Sequence, residues 1–184
     1  MDIQDTVLMV IDVQGKLASL MHGHERLFTN IERAIKIAQI LEIPILWTEQ
    51  APEKIGTTVE PISQLLFPVV KPISKRSFSC WGSPEFVETM RSLRRARVLV
   101  TGIETHVCVY QTVGDLKRHG YQVHVLADAV SSRSEANKTI ALERMRGQGV
   151  VMSSVEMAMC ELLKTADHPK FRDVMANIKR QVEQ

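Results

Sequence analysis

An α/β domain built on a mainly parallel sheet is what this sequence predicts, on three observations. Short, continuously apolar runs alternate along the chain with longer segments whose apolar residues fall at helical spacing. Unbroken apolar runs are the pattern of strands covered on both faces, as a parallel sheet requires. Polar residues able to do chemistry, Asp12, Gln50, Lys75, Cys108 and Asp128, stand at or just past the ends of those runs, which is where ligands bind in such sheets. Right-handed crossovers then give three layers, α/β/α, around a six-stranded Rossmann-like sheet.

Taken in order, Thr6 to Ile11 is apolar almost throughout and forms a first strand with Asp12 at its tip, followed by a loop to Lys16. Leu27, Ile31, Ala34, Ile35, Ala38 and Leu41 keep helical spacing. Pro44 to Trp47 is the second strand, ending in Thr48-Glu-Gln50. Residues 51–68 carry three prolines and read as loop, with a short helix about 62–66. Val69-Val70 is a weak third strand, with Lys75 in the loop after it. Ser83-Pro84 starts a helix to about Arg95, Ser as N-cap and Pro as the first helical residue. Val98 to Val100 is the fourth strand, and Thr105 caps a helix ending near His119-Gly120. Tyr121 to Leu126 is the fifth strand, Ser134 to Arg146 a helix closed by Gly147, and Val150 to Met152 the sixth strand. Ser153 or Ser154 caps a helix to Leu163, and an amphipathic helix about 168–182 packs on the body or on another subunit. No repeat or linker divides the chain, so one domain spans 1–184.

Composition narrows the function classes. The 184 residues are 45% hydrophobic and 24% charged, ordinary globular values. A net charge of +2 gives no reason to expect nucleic acid as a partner. No apolar run approaches the roughly 18 residues that cross a membrane. Three cysteines without a CxxC pair or a Cys/His cluster argue against a disulfide framework or a zinc site. Met1 to Asp5 has neither the basic nor the apolar part of a secretion signal. The expectation is a cytoplasmic protein with a small-molecule substrate, no cofactor and no metal.

The stretch Val98 to Cys108 carries the chemistry. A strand, a Thr-Gly turn and a cysteine on the first turn of the next helix follow the logic of a nucleophile elbow. Unpaired N–H groups and the helix dipole at that place lower a thiol's pKa. Asp12, at the tip of a buried strand, is a candidate base, and Lys75 a cation to pair with that carboxylate and help lower the thiol's pKa. Backbone N–H groups of Glu104 and Cys108 are placed for an oxyanion. Gln14 and Gln50 are candidates to hydrogen-bond a substrate amide, Phe78 and Trp81 to wall the pocket, and Thr105 to border it as the N-cap. Cys80 is a second pocket thiol or a buried filler, Cys160 a core residue and Asp128 a loop-capping carboxylate. His106 faces either the pocket or a subunit boundary.

Asp12-x-Gln14, Lys75-x-x-Phe78-Ser79 and Gly102-Ile-x-Thr105-x-x-Cys108 resemble the three signatures of the isochorismatase-like cysteine hydrolases, over about residues 6–163. The runs Trp47-Thr-Glu-Gln50 and Gly102-Ile-Glu-Thr-His-Val-Cys108 are most similar to the isochorismatase-domain-containing subgroup. The resemblance implies Cys108 as nucleophile, Asp12 as general base and Lys75 as the group that orients and polarises them. It also implies a non-proline cis peptide at Ile103–Glu104 and a homo-oligomer. The Asp/His metal cluster of the nicotinamidase branch is missing after Asp12 and Trp47, and the isochorismatases proper lack the cysteine. What the resemblance leaves is attack on an amide, carbamoyl or ureido carbon through a thioester. The alternative is a catalytically silent interaction or redox-sensing protein on the same fold. A nucleotide-binding reading fails, since Asp12-Val-Gln-Gly-Lys-Leu17 has no Gly-rich phosphate cradle.

Overall fold

In the computed structural model, which describes residues 1–179, the strands are β1 (Thr6–Ile11), β2 (Ile45–Gln50), β3 (Ile73–Lys75), β4 (Arg97–Ile103), β5 (Gln122–Ser131) and β6 (Val151–Ser153). They form one all-parallel sheet in the order β3-β2-β1-β4-β5-β6. The chain winds outward from β1 to β3, returns to β4 beside β1, and winds outward again. The order therefore reverses between β1 and β4, and a crevice opens there at the strands' carboxyl ends.

Helices α1 (Gly15–Ser19), α2 (His24–Ile40), α3 (Pro52–Ile55), α4 (Glu60–Leu66), α5 (Pro84–Ser92), α6 (Tyr110–Arg118), α7 (Glu135–Gly147), α8 (Val155–Leu163) and α9 (Phe171–Lys179) connect and cover the sheet. Alternate residues of β1 explain the three layers. Leu8 and Val10 pack with Ile31, Ile35 and Ala38 of α2 and with α8 and α9, while Val7, Met9 and Ile11 pack with α5, α6 and Met145 of α7. Complete burial of each aliphatic side chain contributes about 1.5–3 kcal/mol, so two dry faces account for the unbroken apolar runs.

Several boundaries differ from the sequence reading. The third strand is Ile73–Lys75, because the Val69 and Val70 N–H groups close the end of α4 on the Leu66 carbonyl. Lys75 is thus the last residue of a strand. Residues 51–59 contain the short helix α3, and α1 begins at Gly15, inside the expected first loop. β5 runs on to Ser131, shifting register against β4 between Val100 and Gly102, so Asp128 lies inside the strand. Its Oδ1 accepts from the Val155 N–H at the start of α8. Ser83, Ser134 and Ser154 cap α5, α7 and α8 through their hydroxyls. The C-terminal helix is described as Phe171–Lys179, and residues 180–182 of its expected span lie outside the described residues.

One glycine decides how close the two central strands come. Gly102 pairs with Ile11 at a φ of 116°. A Cβ at Gly102 would sit 2.1 Å from the Ile11 carbonyl oxygen. Only glycine fits, and the residues following β4 are thereby drawn against the tip of β1.

Candidate active site

β1 delivers Asp12 with a φ of 54°, the left-handed region that Asp tolerates better than most side chains. The residue is almost wholly buried, at 3% exposure. Oδ2 accepts from Lys75 Nζ at 2.6 Å and Oδ1 from Thr48 Oγ1 at 2.8 Å. The Asp12 N–H donates to the Thr48 carbonyl. Lys75 Nζ also donates to Gln50 Oε1 at 2.8 Å and to the carbonyls of Ser77 and Phe78 at 3.1 and 3.0 Å. Either charge alone would be costly in so dry a place, and the pair makes both tolerable.

β4 leads through a cis Ile103–Glu104 peptide into a wide turn, Thr105–Val109, with Cys108 inside it. The Val107 and Val109 N–H groups both reach the Glu104 carbonyl, and α6 begins only at Tyr110. This wide turn runs straight into α6, so Cys108 lies in the first turn of the helix, as expected, while Glu104, not Thr105, occupies the capping position without a side-chain cap bond.

The electrostatics reverse the expected thiol shift. Burial, then the Asp12 charge, push Cys108 well above an ordinary thiol, and a hydrogen bond to Asp12 adds to this; Lys75 pulls the other way without prevailing. Cys108 rests as a thiol facing a carboxylate. Burial pulls the Lys75 ammonium down, but Asp12, with contributions from the two thiols, holds it above its ordinary value. Lys75 is a fixed cation at neutral pH.

The remaining sequence candidates divide. Gln50 belongs to the site: Oε1 receives Lys75, and Nε2 donates to the Arg76 carbonyl at 2.7 Å. Fully buried Gln14 spends both amide protons on the Gln50 and Gly56 carbonyls and accepts the Gln50 N–H at 2.6 Å. It clamps the end of β2 to the Pro52–Ile55 segment and has no donor left for a substrate. Phe78 contributes its carbonyl to Lys75, while its ring is exposed. Trp81 stacks on His119 and packs edge-on against Phe86 and Tyr121, so it covers the α5–α6 side of the domain. Thr105 is fully buried, and its hydroxyl has no hydrogen-bond partner. The Glu104 carboxylate pairs with Arg133, accepting its Nε at 3.0 Å and its N–H at 3.2 Å. His106 Nδ1 lies 2.9 Å from Ser132 Oγ. Cys80 is a completely buried thiol on the turn Cys80–Gly82, whereas Cys160 is exposed on α8, which is a correction to its expected core position. Its neighbours Met159 and Leu162 take the buried face of the helix.

Sequence reasoning missed Thr48, Glu49 and Thr58. Glu49 Oε1 accepts both the N–H and the hydroxyl of Thr58, which in turn accepts Trp47 Nε1 at 2.8 Å. This buried set ties the loop after β2 to the strand. The available signal was the polar run Thr48-Glu-Gln50 itself, since three polar residues closing an apolar strand each need a partner. Among the described residues, no group of three or more His, Cys, Asp or Glu side chains is placed to hold a metal. No helix among them is long and apolar enough to cross a membrane.

A family model described as isochorismatase domain matches residues 6–157, taking in all three strand-end residues. The chain belongs to the isochorismatase family. It is 36% identical over 180 residues to isochorismatase domain-containing protein 2 of Rattus norvegicus, covering 97% of this chain and 83% of that one. A secreted isochorismatase effector of Phytophthora sojae is 38% identical over 182 residues, covering 97% and 86%. Among solved structures, the MAR1 ribonuclease of Caenorhabditis elegans superposes with a TM-score of 0.93 at 34% identity, over 100% of this chain and 94% of that one. Membership of the isochorismatase family and the hydrolase fold that goes with it agree with the six-stranded parallel sheet described above.

Proposed function

We propose that this isochorismatase-family chain is a cysteine-dependent hydrolase acting on a small amide, carbamoyl or related C–N substrate through a covalent thioester. The observation that carries the reading is the meeting of Asp12, Lys75 and Cys108, from three separate strand ends, around one buried carboxylate. Because the thiol is held protonated, attack needs a base at the moment of bond formation. Asp12 takes the Cys108 proton as the sulfur bonds to the substrate carbon, and the carbonyl oxygen becomes an anion facing the N–H groups of Glu104 and Cys108. Collapse of this intermediate breaks the C–N bond, with the proton returning from Asp12 to the leaving nitrogen. Water then adds to the thioester, giving its proton to Asp12, and collapse breaks the C–S bond, the sulfur taking that proton back from Asp12 as the acid product leaves. Lys75 holds the Asp12 side chain in place through both halves of the reaction.

A redox sensor needs a stabilised thiolate, and burial plus Asp12 push Cys108 the opposite way, so the hydrolase reading is preferred. A homo-oligomer is part of the proposal: Leu20, Ile55 and Phe78 each follow a strand's carboxyl end and expose apolar surface. Sedimentation of the purified chain tests it. The functional test is a panel of amide, carbamoyl and ureido substrates, with an RNA arm prompted by the ribonuclease relative. We expect C–N hydrolysis that falls at least about 10³-fold in Cys108→Ala, with a thioester adduct trapped on Cys108 by mass spectrometry. A Cys108→Ala enzyme of undiminished rate would remove the cysteine mechanism, and turnover of RNA alone would remove the substrate class.

A further inference from the structure

Thr48 lies fully buried on β2, between the Asp12 carboxylate and the Cys80 thiol. Its hydroxyl has one proton to give. An ionised carboxylate only accepts, so at the 2.8 Å contact with Asp12 Oδ1 the threonine O–H is the donor. Thr48 Oγ1 then offers Cys80 nothing but lone pairs, and the 3.7 Å contact with Cys80 Sγ is an S–H donation to the threonine. Burial pushes Cys80 up to about 11, which keeps that proton in place at neutral pH. The contacts thus run in one direction, from Cys80 to Thr48 to Asp12.

Asp12 is held on its other oxygen by Lys75, from β3. The terminal torsion of a carboxylate is broad and two-fold, and a single contact leaves it free to swing. Two contacts, one on each oxygen and from neighbouring strands, fix its plane. We propose that Thr48 is a positioning residue for the Asp12 base: its hydroxyl, oriented by Cys80, fixes the carboxylate so that it stays aimed at the Cys108 thiol through both halves of the reaction. This inference rests on the cysteine-hydrolase reading, and it goes beyond the Asp12, Lys75 and Cys108 set in assigning a role to a neutral side chain that acts only through Asp12.

The test reads Cys108 directly and needs no known substrate. Without the hydroxyl the carboxylate is held on one oxygen only and swings away from the thiol, so it holds the thiol proton less firmly. Iodoacetamide alkylation of Cys108 in the full chain, followed by peptide mass spectrometry at pH 8.5, should then be about tenfold faster in Thr48→Val, the equivalent of one pH unit in thiol titration. Thr48→Ser, which keeps the hydroxyl and loses the methyl, should recover the wild-type rate to within about twofold, and Thr48→Ala should behave as Thr48→Val if the latter folds poorly. On any substrate from the panel, Thr48→Val should lower kcat with little change in KM. A packing role gives the opposite order, with Thr48→Ser perturbed and Thr48→Val like wild type, and that order overturns the proposal, as do identical rates in all variants. Asp12→Asn in the same assay separates the two readings. It removes the charge that raises the thiol, so Cys108 should react faster; an unchanged rate would mean that the carboxylate does not face the thiol, and the Asp12 base reading falls. If Asp12→Asn responds and Thr48→Val does not, Thr48 alone loses its role.

Discussion

The Asp12–Lys75 pair permits a quantitative test. Lys75→Met keeps the stem length and removes the ammonium. It strips Asp12 Oδ2 of its 2.6 Å partner and leaves the Ser77 and Phe78 carbonyls and Gln50 Oε1 without their donor. Breaking a buried pair from one side costs about 3–5 kcal/mol, and the orphaned carbonyls place this variant near the upper end. Asp12→Asn leaves a buried ammonium facing a neutral amide and should cost about 3 kcal/mol. Because each single variant is destabilised chiefly by the charge left behind, the double variant has no such charge and should lie at least about 2 kcal/mol above the sum of the two losses. Urea denaturation at pH 7, followed by circular dichroism with a common m-value, measures all four corners of the cycle. Additivity to within about 0.5 kcal/mol would mean that the two side chains do not form a desolvated ion pair, and the electrostatic account of the site would fail with it.

Three further outcomes are expected. Gly102→Ala places a methyl 2.1 Å from the Ile11 carbonyl at a φ of 116°, and should cost at least about 3 kcal/mol in chemical denaturation; wild-type stability would contradict the close strand approach. Gln14→Leu forfeits three hydrogen bonds that clamp β2, about 3 kcal/mol together, and should lower Tm by roughly 6–12 °C in calorimetry. The fully buried Cys80 thiol is raised from 9.0 to about 11. The unfolded chain releases this proton first, so the stability contributed by Cys80 is complete below pH 9 and is lost between pH 9 and 11, about 3 kcal/mol in all. Lys75, raised above 10.5, acts in the same direction at still higher pH. Urea unfolding at pH 8 and pH 10.5 should show this loss in wild type and a shallower one in Cys80→Ala.

Strands buried on both faces were legible because an apolar run has few other uses in a chain of this size. Val7, Val100 and Val125 sit in such runs and are all fully enclosed. The third strand escaped because Ile73-Ser-Lys75 has only three residues, one of them exposed, and no pattern to read. Its identity is fixed by pairing with Thr48 to Gln50, a contact between distant residues. The extension of β5 through Asp128 was hidden for a related reason. A strand can carry a carboxylate in its interior when a helix N-terminus stands opposite to receive it, and the Val155 N–H does so here.

In the candidate site, residue identity proved easier to read than electrostatics. Asp12, Lys75 and Cys108 come together at the strands' carboxyl ends, Asp12 after β1, Cys108 on the turn after the adjacent β4, and Lys75 reaching across from the edge strand β3. The sign of the thiol shift could not be read in the same way. A cysteine placed in the first turn of a helix, next to a lysine, ought to be acidified. Two local facts reverse this: the thiol is buried beside the Asp12 carboxylate, and Lys75 spends its charge on Asp12 at 2.6 Å. What faces Cys108 is thus a carboxylate whose cation is already engaged, in a place that water scarcely reaches. That combination favours the thiol over the thiolate, and on the proposed hydrolase reading it calls for concerted proton transfer. Thr48 then matters for the same reason. When the nucleophile is activated only as it attacks, the rate depends on where the base points.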